Sequence, residues 1–366
     1  MSRKKYEWKP ISSSALLFAV AACSSTGFGE PDAPSLTCGL LDPAYLAAGG
    51  VGRDGIPAMT DPEFVALDRE AMIRYLADDD RVIGAEVGGE WLAIPHNIMY
   101  RHEIVNLNRG AEQVTVTYCP LTGSALVFDR GGVGGVEFGV SGLLYQANLI
   151  MYDRTDVSSL WPQMAGEARC GPRAGQSLAT RPVIEMTWGG WREHFPGSMV
   201  IGVDSIVAAG YSFNPYGASY EAPDNASYLG FPIPRQDLRR LPKERVVGFP
   251  AAGDRPPLAV PFGALEALGE RSVVEFEYRG RPAIVFWDAT ARAAIPARPE
   301  TEGRQLTFEI RDGRFVDRET GSLWAVTGHA RVGELMGARL EPIPEAYVAF
   351  WQAWAAYHPE TELVIE

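Results

Sequence analysis

The feature that most constrains the fold of this chain is an internal repetition. Seven short segments of the first half recur in the same order in the second half, the first of them 164 residues later. Three of the matched pairs are Arg81-Val82-Ile83-Gly84 with Arg245-Val246-Val247-Gly248, Ala125-Leu126-Val127-Phe128 with Ala283-Ile284-Val285-Phe286, and Trp188-x-x-Trp191 with Trp351-x-x-Trp354. Ordered recurrence is typical of a duplicated structural unit. We therefore predict two diverged copies of one unit, over residues 81–201 and 245–365.

Each copy consists mainly of short alternating runs, which predict β-strands, followed by one segment with helical spacing. In the second copy that segment is Ala346–Tyr357. A further helix is predicted to begin at Asp61-Pro62, because Asp caps helices and Pro favours their first position. The predicted fold class is α+β, with two tandem β-rich repeats that are each closed by an amphipathic helix, after a lipoprotein signal and a tether. The predicted domains are a signal peptide at 1–22, a tether and N-terminal extension at 23–59, a site-bearing first unit at 60–205, a connecting strap at 206–244, and a structural second unit at 245–366.

The N-terminal segment has the layout of a secretory signal. Basic residues precede an apolar run from Ala15 to Val20 that is too short to span a bilayer. The run leads into Val20-Ala21-Ala22-Cys23, which resembles the lipobox of bacterial lipoproteins. By that resemblance Cys23 is lipidated and anchors the protein to a membrane, on its periplasmic or cell-surface side. The formal net charge of −13 and the lack of a basic patch argue against nucleic acid as a partner.

The segment Thr117-Tyr118-Cys119-Pro120-Leu121-Thr122-Gly123-Ser124 joins two predicted strands through a turn that contains Pro and Gly. An alternating run over 102–108 precedes it, and the loop 109–112 predicts a hairpin. In the register that keeps apolar residues on one face, Val105 faces Val116 and His102 faces Cys119. Directly opposite Cβ atoms lie about 5 Å apart, so this imidazole and this thiol could share a metal ion or a proton.

Features present in both copies are assigned to the fold, whereas Cys119, His102 and Met164, present in one copy, are assigned to chemistry. At the expected offset, Glu277 or Tyr278 replaces Cys119 in the second copy. Thiolate, imidazole and thioether together favour a soft metal ion, and copper is the predicted cofactor. Zinc would require a fourth ligand, for which His96 is the candidate. Three further residues are expected to surround the metal ligands or to line the adjacent cleft: Gln163, Tyr145 and Asn148.

Two other functions fit the same sequence. Cys119 could be a nucleophile with His102 as its base and with Glu103 or Asp129 as the orienting group. Alternatively, the chain could be a non-catalytic periplasmic binding or assembly module, with the Tyr-rich strap and the cleft between the copies as its contact surface.

The cysteines bear on the first of these functions. Three remain once Cys23 is lipidated, and either Cys38 or Cys119 could form a disulfide with Cys170. The predicted contact with His102 favours Cys119 as the unpaired thiol.

The chain resembles the bacterial family known as domain of unknown function 3179 over roughly residues 60–365. The segments that carry the resemblance are 102–106, 117–124, 138–145, Asn148, 152–154, 161–164, Gly171-Pro172, and the strap from Tyr211 to Arg245. The family implies no settled activity, so the resemblance bears on the fold and the site more than on function. Some members carry a second Cys where this chain has Thr122, and a dithiol function is therefore not implied here.

Overall fold

The computed structural model describes residues 38–227 and 231–365. The predicted signal peptide, Cys23 and residues 24–37 of the predicted tether lie outside the described residues. The described chain is built mainly from short β-strands, and its five α-helices are no longer than two turns. In this part of the chain, no helix combines the length and the apolar character that a membrane crossing requires.

The strands of the first half are β1 (Leu46–Ala48), β2 (Met59–Thr60), β3 (Phe64–Ala66), β4 (Arg81–Val87), β5 (Glu90–Pro95), β6 (Ile104–Arg109), β7 (Glu112–Cys119), β8 (Ser124–Asp129), β9 (Phe138–Tyr145), β10 (Asn148–Asp153), β11 (Leu160–Pro162), β12 (Ala179–Arg181), β13 (Ile184–Thr187) and β14 (Met199–Ile201). Those of the second half are β15 (Arg245–Phe249), β16 (Leu258–Pro261), β17 (Arg271–Tyr278), β18 (Arg281–Asp288), β19 (Ala293–Arg298), β20 (Glu300–Thr301), β21 (Arg304–Gln305), β22 (Phe308–Arg311), β23 (Arg314–Asp317), β24 (Leu323–Trp324), β25 (Ala330–Val332), β26 (Glu341–Pro342), β27 (Tyr347–Phe350) and β28 (Glu362–Leu363). The helices are α1 (Glu70–Ile73), α2 (His96–His102), α3 (Trp188–His194), α4 (Phe262–Ala267) and α5 (Trp351–Tyr357).

The two halves contain sheets with corresponding strand orders. The sheets of the first half are β13-β4-β5-β14-β3, β12-β8-β7-β6-β2 and β1-β9-β10-β11. Those of the second half are β27-β15-β16-β28, β17-β18-β19-β26 and β22-β23-β24-β25, with a separate β20-β21 ribbon. Strands β1, β2 and β3, which come from the N-terminal part of the chain, each add an edge strand to one sheet of the first half.

Close packing explains why glycine and tryptophan recur together in both halves. A Cβ atom on Gly84 of β4 would lie 2.0 Å from the ring of Trp191, and one on Gly248 of β15 would lie 2.2 Å from the ring of Trp354. Only glycine leaves room for the ring at these two positions. The recurrent pairs are therefore equivalent packing contacts between a strand and the helix that follows its neighbour.

The α+β prediction was wrong, because strands predominate throughout and the helices are few and short. The segment predicted as the closing helix of the second copy begins instead with β27, so that α5 is confined to Trp351–Tyr357. Since β14 follows α3 and β28 follows α5, each helix lies between two strands of one sheet and does not close a unit.

The helix predicted at Asp61-Pro62 was also wrong. Asp61 has a positive φ of 45° between β2 and β3, and its carboxylate accepts a hydrogen bond from the backbone N–H of Asn108. A carboxylate engaged with a distant strand does not cap a local helix.

The two halves interlock through reciprocal backbone bonds. The N–H of Thr187, before α3, donates to the carbonyl of Ala291 in the second half, and the N–H of Phe350, before α5, donates to the carbonyl of Thr122 in the first half. Two of the hydrophobic clusters also combine residues from both halves. Each half therefore completes part of the core of the other.

Strand positions also correct two matches made from the sequence. Strands β7 and β18 correspond to each other, because both have eight residues and both lead into a turn whose carbonyl accepts one of these reciprocal bonds. Cys119, the last residue of β7, therefore corresponds to Asp288, the last residue of β18, and not to Glu277 or Tyr278. The segment 125–128 lies in β8, whereas 283–286 lies in β18. These two apolar runs are similar in sequence but occupy different strands, because buried strands share a composition.

Candidate functional site

The hairpin around Cys119 has the predicted register up to Ile104. In the ladder between β6 and β7, Val105 faces Val116 as predicted. His102, however, is the last residue of α2, and Glu103 after it has a left-handed backbone conformation with φ 56°. The chain leaves the ladder before it reaches His102, and the predicted pairing of His102 with Cys119 was wrong.

Both ring nitrogens of His102 have other partners. Nδ1 lies 2.7 Å from the carbonyl oxygen of Pro57, and Nε2 lies 2.9 Å from the hydroxyl of Tyr211. Burial lowers the pKa of His102, so the ring is neutral at pH 7. Since a carbonyl only accepts, Nδ1 carries the proton and Nε2 accepts from the tyrosine. No nitrogen of this ring is left for a metal ion or for Cys119.

Cys119 is a buried and unpaired thiol, and the disulfide links Cys38 with Cys170. Its Sγ accepts the backbone N–H of Leu149 at 3.4 Å. Burial, together with the charge of Glu103, raises the pKa of Cys119 to about 11. The thiol is therefore almost fully protonated at pH 7, and it is a weak nucleophile and a weak ligand unless a metal or a base removes the proton.

Glu103, rather than His102, is the carboxyl that acts on this thiol. Burial raises the pKa of Glu103 to about 8, so its carboxyl is mostly neutral at pH 7. The electrostatic influence on the pKa of Cys119 comes from Glu103, the residue at the left-handed cap after α2, and not from His102. Asp129, the other candidate orienting group, lies at the opposite end of β8 from the turn and accepts a hydrogen bond from Gly131.

Beside Cys119 lies a set of five buried polar side chains, here called the amide network: Thr117, Thr122, Ser124, Asn148 and Gln163. The Oε1 atom of Gln163 accepts bonds from Ser124 (2.7 Å) and Asn148 (2.8 Å). Its Nε2 atom donates to Thr117 and to the carbonyl of Ser124, both at 3.0 Å. Every hydrogen-bonding position of this amide is used. Gln163 and Asn148 are both fully buried. Because the hydrogen bonds of the Gln163 amide are all made within the protein, the network is typical of one that stabilises the fold.

Met164 and Tyr145 line a cavity of about 420 Å³ on one side of the amide network. The backbone N–H of Met164 donates to Asn148 at 3.0 Å, and the carbonyl of Tyr145 accepts the hydroxyl of Tyr357 at 2.8 Å. Among the residues that the structure describes, no group of three His, Cys, Asp or Glu side chains is placed to hold a metal ion.

A second polar region lies between the two halves. It is here called the charged cluster and comprises five ionisable residues: Arg81, His96, Glu185, Glu221 and Arg245. The Nε2 atom of His96 lies 3.0 Å from Oε2 of Glu185, whereas Nε of Arg81 is 3.8 Å from the same oxygen, too far for a hydrogen bond. Burial lowers the pKa of His96, so a neutral imidazole donates to the carboxylate.

Several polar atoms of the charged cluster lack a partner. Within the described ranges, no hydrogen-bonding atom meets Nε and Nη2 of Arg81, Nδ1 of His96, Oε1 of Glu185 or Nε of Arg245. Each unpaired buried polar group costs about 1–3 kcal/mol. Burial, and then the charge of Arg245, lower the pKa of Arg81 to about 10, which leaves it charged at pH 7. The cluster is therefore a costly feature of the fold.

Glu221 of the strap is the best-paired member of the charged cluster. Its carboxylate accepts hydrogen bonds from the hydroxyls of Tyr100 (3.0 Å) and Tyr118 (3.1 Å) and from Arg245 (2.6 Å). Burial opposes ionisation, but the charge of Arg245 and the hydrogen bonds from Arg245 and Tyr100 outweigh it and lower the pKa of Glu221 to about 2. Glu221 is thus a fixed carboxylate held by three donors.

A cavity of about 720 Å³, here called the charged cavity, lies beside this cluster between the two halves and the strap. Its wall includes Arg81 and Arg245, and its aromatic surface comes from Phe262 and Trp287. The charged residues of its lining are Arg81, Arg239, Arg240, Lys243, Arg245, Arg292, Glu221, Glu244 and Glu266. Six cations and three carboxylates line the cavity, and two more carboxylates, Asp237 and Glu185, lie against the lining residues Arg239 and Arg81, which leaves an excess of one positive charge in a chain whose formal net charge is −13. This local excess of positive charge favours an anionic ligand.

The sequence rule that assigns shared features to the fold misses the charged cluster. Arg81 and Arg245 recur because they begin corresponding strands, and the rule counts them as architecture. What indicates a function for these two residues is that they are charged although the strands they begin are buried. A cation at the first position of a strand that is otherwise buried, in both halves, must be paired or functional.

Residues 53–361 match the model of a family described as a protein of unknown function (DUF3179). The matched range contains the amide network, the charged cluster and the strap. No curated protein matches the chain, and no solved structure matches it.

Proposed function

The chain belongs to the DUF3179 family of proteins of unknown function, and from its own geometry we propose that it is a lipid-anchored extracytoplasmic module that binds a small anion in the charged cavity. The observation that carries this proposal is the meeting of Arg81 and Arg245 in one cavity wall. These two cations begin corresponding strands of the two halves, so the interlocked architecture itself creates the anion site.

Energetics support the same conclusion. Two arginines are kept close together although their charges repel and several of their N–H groups lack acceptors. Buried charges of this kind lower stability, and apolar residues of similar volume would often stabilise a fold more. Such a cost is typical of a binding site, where a ligand supplies the missing compensation.

Titration calorimetry with acetate, inorganic phosphate and tetramethylammonium tests the proposal. We expect at least one anion to bind with one site per chain, and we expect no heat from the cation. Arg292→Gln removes an exposed cation from the cavity rim and should weaken anion binding about fivefold, which corresponds to about 1 kcal/mol. The matched control is Arg314→Gln, which changes an exposed cation of β23 outside the cavity lining. Equal loss in both variants, or absence of anion binding, contradicts the proposal.

The location of the protein is part of the proposal. The disulfide between Cys38 and Cys170 supports an oxidising compartment, and the lipobox-like sequence supports a lipid anchor at Cys23. Metabolic labelling with a radioactive fatty acid should mark the wild-type protein and not a Cys23→Ala variant. Label retained by the variant would contradict the anchor.

Copper binding at Cys119 stays a prediction. Its support is an unpaired thiol that shares a buried hydrophobic cluster with Met164. The predicted imidazole ligand is missing, since His102 is bound to Pro57 and Tyr211. Elemental analysis of the purified mature protein and of Cys119→Ser tests the prediction, which requires copper in the first and none in the second.

A further inference from the structure

The chain already contains one carboxylate bound at the interface of its halves. Arg245, the first residue of β15, and Tyr118, the penultimate residue of β7, both donate to Glu221 of the strap. This arrangement, here called the filled pocket, shows how the interface accommodates a carboxylate. A cation comes from the start of one strand, and a second donor comes from the end of a strand in the other half.

The charged cavity contains the corresponding pocket of the second half. Arg81 begins β4 as Arg245 begins β15, and Trp287 is the penultimate residue of β18 as Tyr118 is of β7. Phe262 begins α4 after Pro261, as His96 begins α2 after Pro95. Arg81, Phe262 and Trp287 all line the charged cavity. A strap carboxylate, Glu244, also lines this cavity, but it binds the N–H of Gly263 and the side chain of Arg240, not Arg81 or Trp287.

In the part of the chain that the structure describes, the donors of this second pocket are buried and unpartnered. The Nε1 atom of Trp287 is buried and has no hydrogen-bond partner among the described residues, although the ring is fully enclosed. Nε and Nη2 of Arg81 likewise lack acceptors in the described chain. An indole N–H is a donor only. Within the described residues, Arg81 and Trp287 therefore offer a cation with unpartnered N–H groups and an unpartnered indole N–H at the strand positions that correspond to Arg245 and Tyr118.

The rest of the cavity indicates an apolar body for the ligand. Leu238 and Leu241 of the strap line the cavity and are 85% and 51% exposed. The arginines between them are paired, Arg239 with Asp237 and Arg240 with Glu244. Together with Phe262 and Trp287, the leucines supply the apolar part of the cavity lining.

We infer that the charged cavity binds the carboxylate of an organic acid with an apolar body, held by Arg81 and the indole N–H of Trp287 as Glu221 is held in the filled pocket. This inference rests on the proposed anion site and names its ligand class. The apolar body lies along Leu238 and Leu241. Both the charge and the hydrocarbon contribute to affinity, and neither alone is sufficient for tight binding.

Calorimetry with decanoate, acetate and decanol tests the ligand class. Burial of three or four methylene groups corresponds to about 100-fold in affinity, so decanoate should bind about 100-fold more tightly than acetate, and decanol more weakly than decanoate. Titrations are made below the critical micelle concentration, so that detergent-like binding is excluded.

Two variants test the assigned contacts. Trp287→Phe keeps an aromatic side chain but replaces the indole by a smaller phenyl ring without an N–H, and it should weaken decanoate and acetate binding about tenfold each. The double variant Leu238→Ser with Leu241→Ser should lower the affinity for decanoate towards that for acetate. Ile206→Ser is the control, because Ile206 is 88% exposed in the same strap and lies outside the cavity lining. Thermal unfolding confirms that each variant is folded.

The outcomes separate this inference from the proposed function. If inorganic phosphate binds and carboxylates do not, the anion site stands and the carboxylate inference fails. If acetate and decanoate bind equally, the apolar body is refuted. If Trp287→Phe binds decanoate like the wild type, the assigned donor is wrong. If no anion binds at all, both proposals fail together.

Discussion

The amide network is buried and the charged cluster is buried or half-buried, and the two regions differ in how completely their polar atoms are paired. Gln163 uses all of its hydrogen-bonding positions within the network. In the charged cluster, Arg81, His96 and Glu185 each retain at least one atom without a partner in the described chain. A complete network specifies one packing arrangement, whereas an incomplete cluster costs stability and can be completed by a ligand.

The sequence suggests that segment 117–124 is the functional site, whereas the unpaired atoms favour the charged cluster. The conspicuous segment 117–124 belongs to the complete region, and its thiol is buried and protonated at pH 7. The inconspicuous arginines at the starts of β4 and β15 belong to the incomplete one. The conspicuous segment is therefore best explained by packing: Gly123 has φ 58° and contacts the ring of Phe350 of the second half so closely that a Cβ would lie 2.6 Å from it.

The largest effect is expected when the best-paired member of the charged cluster is removed. Glu221→Ala leaves Arg245, Tyr100 and Tyr118 without their acceptor. Loss of one partner of a buried ion pair costs 3–5 kcal/mol, and the partial exposure of this pair reduces our expectation to about 3 kcal/mol. Urea unfolding at pH 7 measures the loss.

Acetate provides a specific test of this variant. Acetate is added at about 100 mM, well above the dissociation constant of a site with millimolar affinity. If the vacated space accepts a carboxylate, acetate should raise the urea midpoint of Glu221→Ala more than that of the wild type. Sodium chloride at equal ionic strength controls for screening. Glu266→Ala, an exposed carboxylate of the cavity lining, should change stability by less than about 0.5 kcal/mol. An equal response of variant and wild type to acetate would show that Glu221 is not replaceable by a free carboxylate.

The second effect concerns the amide network. Gln163→Met keeps a similar volume but removes the amide, which leaves Thr117, Ser124 and Asn148 each with a lost partner. We expect a loss of about 2–3 kcal/mol in the free energy of unfolding. No small ligand should restore it, because no cavity replaces the amide. Gln176→Met, at an exposed position, is the control, and a Gln163→Met variant as stable as this control would show that the network contributes little.

Local patterns in the sequence were sufficient for individual strands and for the register of one hairpin. Val105 faces Val116 because a shift by one residue would place apolar side chains against polar ones. The pattern failed at His102, because the alternation of residues 102–108 does not reveal that α2 ends there and that Glu103 adopts a left-handed conformation. The backbone preference of glutamate does not predict this conformation, since glutamate rarely has a positive φ.

Long-range relations were accessible only where the two halves share a residue type. The Gly84–Trp191 and Gly248–Trp354 contacts explain the shared glycines and tryptophans. The filled pocket was not accessible, because its carboxylate comes from the strap, which has no counterpart in the other half. The sequence also could not reveal that the turn at Thr122 binds the residue before α5, since this contact joins segments more than 200 residues apart.

The smallest effect, counted per pH unit, distinguishes two buried carboxyls by the sign of their pH dependence. The pKa of Glu103 is raised by burial to about 8, so the folded state binds its proton more tightly than the unfolded state. Stability therefore falls as the pH rises from about 4.3, the ordinary value of the unfolded side chain, through 8. The pKa of Glu221 is lowered to about 2, so its contribution is present above about 4.3 and is lost as the pH falls towards 2.

Glu103→Gln tests the first half of this contrast, because an amide mimics the neutral carboxyl and removes the cost of ionisation. We expect the stability of the variant relative to the wild type to increase by roughly 1 kcal/mol for each pH unit between pH 5 and pH 8, measured by urea unfolding at pH 5 and pH 9. Glu193→Gln, at an exposed position, should follow the wild type at both pH values. A Glu103→Gln variant less stable than the wild type at pH 9 would mean that ionised Glu103 has a stabilising partner, and the region around Cys119 would then resemble the charged cluster rather than differ from it.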